Sequence, residues 1–370
     1  MVMDVLYAAN QRASSGEVVY HLEIGQPGTG VPRDVIDAIQ EPLFSQKLGY
    51  TDAFGITSLR DAIVRHYQSS YGLMVDQNQV AVTNGSSAGF VVAFLAAFDV
   101  GDRVALASPG YPCYRHMLRA FGIEPVILET EFEDRFQPTI EKLKALLPLD
   151  GLIVASPSNP TGTMLDAPAL KVLSDFCREH DIRLISDEIY HGITYEQPAV
   201  SALEFNPDAI IINSFSKYFS MTGWRVGWML VPEELLRPME CLQQNLFICA
   251  PAPSQIAALA AFDFKTVLDG YVARYRQNRD LLLHRLPSIG FDKLAPADGA
   301  FYLYADVSSL TNDSESFCRK ILTQTGVAFA PGLDFDSTRG KKFIRISYAE
   351  SPATINQAVD VIAEWMSANR

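Results

Sequence analysis

Apolar residues fall into two regimes along this chain. Between about residues 80 and 231 they form short unbroken runs: QVAVT (79–83), RVALAS (103–108), EPVILE (124–129), GLIVAS (151–156), IRLIS (182–186), AIIINS (209–214) and RVGWML (225–230). Continuous rather than alternating apolar positions are expected of parallel strands covered on both faces. Helical patterns such as 88–97 and 167–180 separate the runs. This rhythm predicts a mostly parallel central sheet with helices on both sides.

After Pro232 the rhythm changes. Helical stretches near 233–248, 253–266 and 268–287 precede two strand-like segments, GAFYLYADVS and KKFIRISYA, and a closing helix near 353–368. The first 75 residues are mainly helical and punctuated by Gly and Pro. The expected fold class is α/β, with a large domain over 46–270 carrying the sheet. A smaller α+β domain is expected from both chain ends, 1–45 and 271–370.

Composition narrows the function. The 370 residues are 48% hydrophobic, ample for a large core, and the net charge of −13 disfavours nucleic acid or an anionic membrane as partner. No apolar run approaches the roughly 18 residues of a membrane span, and residues 1–20 lack the charged-then-apolar order of a signal peptide. Five scattered cysteines without a CxxC pair read as reduced thiols in a cytoplasmic protein. Six dispersed histidines form no HExxH, so no metal site is expected.

In sheets of this kind ligands sit beyond the carboxyl ends of the strands, and five ends deliver chemistry. TNGSSAGF (83–90) places glycine and two hydroxyls at a helix start, a cradle for an anion or a plain N-cap. SPGYPCY (108–114) holds Tyr111 between prolines, SPSNPTG (156–162) places Asn159 in a turn, and SDEIYHG (186–192) brings Asp187 and Tyr190. INSFSKYFSMTGWRVGW (212–228) carries Lys217 and Arg225 among aromatics, where an ammonium is costly unless something takes its charge. Ser214–Lys217 also reads S-x-x-K, but the S-D-N and K-T-G elements that accompany that nucleophile motif are missing. An anion cradle, an aromatic plate, Asn, Asp, Tyr and Lys together match pyridoxal 5′-phosphate, whose aldehyde forms a Schiff base with lysine.

The chain resembles the class I/II aminotransferases of the fold-type I pyridoxal-phosphate superfamily. The resemblance runs from LEIGQPGTGVP (22–32) through YTDAFGITSLRDAI (50–63) and the strand ends to FIRISYA (343–349). It implies that Lys217 carries the Schiff base and shuttles the proton, Asp187 pairs with the pyridine nitrogen, and Asn159 and Tyr190 hydrogen-bond the ring oxygen O3′. Tyr111 would stack on the ring. Ser86, Ser87, Ser214 and Arg225 would hold the phosphate, with Gly85 letting the backbone approach. Arg345 would bind the substrate α-carboxylate, with Asn159 beside it and Gly25 in the loop that closes over it. Tyr50 would reach the phosphate in a neighbouring subunit, which implies a homodimer. The activity implied is transamination between an amino acid and a 2-oxo acid. A carbon–sulfur β-lyase on the same scaffold is the alternative, and a pyridoxal-phosphate-binding regulatory domain would need a DNA-binding segment for which there is no candidate. Tyr7, Phe247 and Tyr302 are candidates for the side-chain pocket.

Overall fold

The computed structural model describes residues 2–369. The chain opens with α1 (Val2–Ser14), β1 (Tyr20–His21), α2 (Arg33–Ser45) and α3 (Thr57–Tyr71). Next come β2 (Val80–Thr83), α4 (Gly85–Ala97), β3 (Arg103–Ser108), α5 (Pro112–Ala120), β4 (Glu124–Glu129), α6 (Ile140–Lys144) and β5 (Gly151–Ala155). The middle continues with α7 (Ala167–Glu179), β6 (Arg183–Asp187), β7 (Ile210–Ser214), β8 (Gly227–Leu230), α8 (Leu236–Leu246), α9 (Ala252–Ala261) and α10 (Lys265–Arg285). It ends with β9 (Lys293–Leu294), β10 (Tyr302–Asp306), α11 (Ser314–Thr325), β11 (Val327–Ala328), β12 (Ala330–Pro331), β13 (Phe343–Ser347) and α12 (Pro352–Ala368).

All seven expected runs lie in one sheet of order β2–β8–β7–β6–β5–β3–β4. The pairs from β4 through to β7 are parallel, whereas β8 runs antiparallel to both β7 and β2. Between β7 and β8 the chain makes only a short 3-10 turn, Thr222–Trp224. Without a crossover helix, the returning strand must run antiparallel. That strand begins at Gly227 rather than Arg225, because Arg225 takes a left-handed φ of 51°.

Successive strand residues point to opposite faces. Val82, Leu152, Leu184, Ile211 and Leu230 meet α2, α3, α7 and α9, while Ala81, Leu106, Ile153, Ile185 and Ile212 meet α4, α5 and α8. Burial on both faces is why the runs are apolar throughout.

The smaller domain is a four-stranded antiparallel sheet, β12–β13–β10–β9, packed with α10, α11 and α12. Parallel pairing of β1 with β11 ties the N-terminal segment to it. Two expected boundaries are corrected. Helix α2 buries Val35 and Ile39 in the large core, so the small-domain segment ends before residue 33 rather than at 45. Helix α10 straddles 270/271: Leu268 belongs to the large core, Tyr275 and Leu282 to the small one.

Candidate active site

The carboxyl ends of β2, β5, β6 and β7 open onto a cleft of about 400 Å³ walled on its far side by the small domain. At one end β2 passes through Asn84 into α4, whose first residue, Gly85, has φ +74°. A Cβ there would lie 2.5 Å from Arg225 Nη2 and 2.9 Å from Cζ, so the guanidinium rests against bare backbone. Arg225 is held by donating to the Thr222 carbonyl at 2.9 Å. Ser86 and Ser87 form the first turn of α4 and line the cleft. Free N–H groups at a helix start, two hydroxyls and an arginine make an anion site.

Ser214 sits just beneath this wall. Its hydroxyl donates to Ser216 Oγ at 2.9 Å and accepts the Ser216 N–H at 3.1 Å, and it is Ser216 and Thr222 that border the cleft. The sequence analysis did not single out either residue. Nothing in a string with three serines and a threonine says which hydroxyl faces out.

Asp187 closes β6 and is 3% exposed. Its Oδ2 accepts the Tyr114 hydroxyl and its Oδ1 the Ile189 N–H at 3.2 Å. Burial raises the carboxyl pKa to about 6, opposed by these two bonds and by the Lys217 charge. Tyr114 is a further cleft residue that the sequence did not mark. Helix α5 begins at Pro112 and turns Tyr114 inward, 5.1 Å from the Phe90 ring. Proline at a helix start was the available signal, since it puts Tyr114 in the first turn. Tyr111, just before Pro112, stands edge-on to Tyr114 at 5.3 Å in the cleft wall.

Lys217 follows β7. Its Nζ donates to the Gly25 carbonyl at 2.6 Å and lies 5.6 Å over the Tyr190 ring. Burial, then the Arg345 charge, lower its pKa to about 8, with Asp187 acting the other way and Arg225 adding to the fall. The Tyr190 and Tyr302 hydroxyls share a 2.7 Å bond.

At the other end Arg345, central in β13 and 3% exposed, is sandwiched between the Tyr302 and Phe335 rings at 4.4 and 4.7 Å. Nη1 donates to Asn159 Oδ1 at 2.9 Å and Nη2 to the Glu23 carbonyl, while the buried Nε has no partner. An unmade bond of this kind costs about 1–3 kcal/mol, which an arriving carboxylate recovers. With Oδ1 committed to Arg345, the Asn159 amide keeps its N–H donors for a ligand. A Cβ on Gly25 would fall 2.5 Å from the Tyr302 hydroxyl, so this close approach requires glycine.

The structure thus brings together on the cleft wall Gly25, Ser86, Ser87, Tyr111, Asn159, Asp187, Tyr190, Lys217, Arg225 and Arg345. Gly85 lies directly behind Arg225 and Ser214 behind Ser216. Tyr50 is elsewhere, 84% exposed on the surface. Of the side-chain pocket candidates, Tyr302 lines the cleft, whereas Tyr7 and Phe247 do not.

These residues fit pyridoxal 5′-phosphate. The Gly85–Arg225 cradle would hold its phosphate, Asp187 would meet its ring nitrogen, and Lys217 offers an amine of lowered pKa. The cofactor supplies the electron sink that stabilises a carbanion next to the substrate carboxylate. The chain supplies the rest. Arg345 and Asn159 would orient the carboxylate, Asp187 would keep the ring nitrogen protonated, and Lys217 Nζ would be the base for the proton at the substrate Cα. Tyr190 and Tyr302, bonded to each other in the cleft wall, would keep water from that proton.

Comparison with known proteins agrees. The model for aminotransferase class I and II matches residues 17–362. A valine–pyruvate aminotransferase of Mycobacterium tuberculosis is 50% identical, over 99% of this chain and 95% of its own. A (5-formylfuran-3-yl)methyl phosphate transaminase of Methanocaldococcus jannaschii is 36% identical, over 99% and 96%. A crystal structure of an aminotransferase from Mycobacterium tuberculosis superposes with a TM-score of 0.97 at 49% identity, over 99% of this chain and 96% of that one. Aspartate aminotransferase from Thermus thermophilus, solved with maleate, gives 0.92 at 31% identity, over 98% and 96%. The chain belongs to the class I and II aminotransferases, and is a pyridoxal-phosphate-dependent enzyme of amino-acid transamination.

Proposed function

We propose that the preferred amino donor is a neutral, apolar 2-amino acid, transaminated by a cytoplasmic homodimer. One observation carries the substrate class: each cation in the cleft already has a task. Lys217 is the reactive amine, Arg225 faces the phosphate cradle and Arg345 the α-carboxylate. The cleft lining also includes Val2, Met3, Ile24, Cys113 and Phe335. The carboxylate there, Asp334, accepts the Val2 N–H at 3.0 Å and would repel an acidic side chain. The valine–pyruvate aminotransferase among the relatives supports the same class. A donor screen with pyruvate and 2-oxoglutarate as acceptors tests it. Valine or alanine should exceed aspartate and glutamate in kcat/KM by at least about tenfold, or about 1.4 kcal/mol; an acidic donor that matches them overturns the assignment.

The dimer is supported by Phe44, Leu48 and Tyr50, which lie close together in sequence and are 91%, 42% and 84% exposed in the single chain, a run of apolar side chains suited to an interface. Light scattering should give twice the chain mass. Five free thiols favour a reducing compartment, checked by fractionating cells that carry a tagged copy.

A further inference from the structure

A second cavity, of about 810 Å³, shares no lining residue with the catalytic cleft. It lies on the sheet face covered by α3 and α9. Its inner wall is aromatic: Trp228, Phe219, Phe262, Tyr218 and His66. His66 lies 5.4 Å from Phe262 and 6.1 Å from Trp228, and Phe219 lies 5.2 Å from Phe262. Burial, helped by the Lys265 charge, lowers the His66 pKa to about 4, so the box is uncharged at neutral pH. Leu259 completes this wall.

The rim is charged and sorts itself. Lys265 and the Tyr218 hydroxyl both bond Asp269, each at 2.6 Å, closing one unit. That leaves Arg65 and Asp263, one cation and one anion, with no hydrogen-bond or ion-pair partner among the described residues. An aromatic-walled cavity with one unpartnered charge of each sign in its lining matches a zwitterion with an aromatic body.

The cavity also touches the catalytic machinery through one ring. His191 lies in its wall and follows Tyr190 in the chain. The Ser156 carbonyl, 3.0 Å from Nε2, can only accept, so Nε2 carries the hydrogen and Nδ1 accepts from the Tyr71 hydroxyl at 2.8 Å. Ser156 begins the turn that presents Asn159. A ligand against His191 therefore presses on the residue that joins the Tyr190 and Asn159 segments.

We propose that this cavity is a second binding site for a free aromatic amino acid in its zwitterionic form. The ring packs against the partly exposed rings of Phe262 and His66, with the carboxylate on Arg65 and the ammonium on Asp263, and occupancy is transmitted through His191. The test uses holoenzyme in which borohydride has fixed the Lys217 linkage, so that the catalytic amine cannot exchange. Calorimetric titration with tryptophan should show one site per chain. Tryptamine, without the carboxylate, and indole-3-propionate, without the ammonium, should bind several-fold more weakly. Leu259→Trp fills the cavity and should abolish binding, while the surface changes Arg65→Gln and Asp263→Asn should each weaken it several-fold. Tryptophan binding unchanged in all three variants, or indole-3-propionate binding as tightly as tryptophan, overturns the proposal. So does an absence of binding, the result expected if a second copy of the chain covers this face.

Discussion

Asp187 and Glu188 are adjacent, both buried, and burial pushes both carboxyls up, to about 6 and about 8. They face opposite ways. Asp187 meets the cofactor, whereas Glu188 Oε1 accepts from Ser186, Ser201 and the Ala202 N–H, holding the loop behind the sheet. Glu188 therefore keeps its proton through neutral pH in the native state. Its folded pKa lies above the ordinary 4.5, so the stability it contributes is complete below pH 4.5 and lost as pH rises to about 8. His191, lowered to about 3, acts in the opposite sense and only below its ordinary 6.5. Between pH 6.5 and 8 Glu188 acts in the same sense as His21, whose imidazole pKa is raised by its hydrogen bond to Glu23. Holoenzyme should show a falling urea midpoint across that interval, and Glu188→Gln, which retains the acceptor oxygen, should make the fall shallower, leaving the part due to His21. A slope unchanged in Glu188→Gln would show that this carboxyl is ionised when folded. Tyr114 makes a second prediction at this scale. Its hydroxyl donates to the carboxyl that serves the cofactor, and a bond to a charged group is worth about 1.5–3 kcal/mol. Tyr114→Phe should lower kcat/KM by about tenfold or more, measured with the best donor, and leave the protein folded.

The turns between elements hold most of the site, and there the amino-acid string was most legible. Asn159, Asp187, Tyr190, Lys217 and Arg225 each follow an apolar strand, and an apolar run that ends in a polar or charged side chain marks the edge of a buried sheet. Strand direction was not legible, because β8 is as apolar as the parallel strands; only the short connection from Ser214 to Gly227 reverses it. Nor was the difference between Ser214 and Ser216, which depends on how far the chain has turned after β7. The turn from β2 into α4 gives the prediction at this scale. Gly85→Ala places a methyl 2.5 Å from Arg225 Nη2 at a φ of +74°. Strain of this kind costs about 1–3 kcal/mol, and the guanidinium must also shift. Cofactor affinity, followed by absorbance titration of apoprotein, should fall at least about tenfold. Lys217→Ala is its counterpart for the covalent anchor: cofactor should still bind at the cradle, but borohydride should fix none of it to protein. A reducible adduct in that variant would assign the anchor to another lysine.

At the scale of the molecule, domain composition was legible and its borders were not. The N-terminal segment touches the C-terminal part of the chain through a separate two-stranded parallel sheet, β1 with β11. Yet α2 and α10 are ordinary amphipathic helices in sequence, and only the partner they pack on decides their allegiance. Tyr50 shows the same limit. Its surroundings in the chain resemble those of a cofactor-binding residue, but in one copy of the protein it is exposed and away from the cleft, so the role implied by the resemblance would require a second copy. A mixing experiment decides the matter. Lys217→Ala dimers lack the amine, and Tyr50→Ala dimers lack the hydroxyl offered to the neighbouring phosphate. Each alone should be nearly inactive. If the sites are shared, a hybrid dimer unites the intact Lys217 of one subunit with the intact Tyr50 of the other in one of its two sites. After random exchange of equal amounts, about half the dimers are hybrids, and about a quarter of wild-type activity should return. If Tyr50 served its own chain, every site in every hybrid would lack one residue or the other, and exchange would restore nothing.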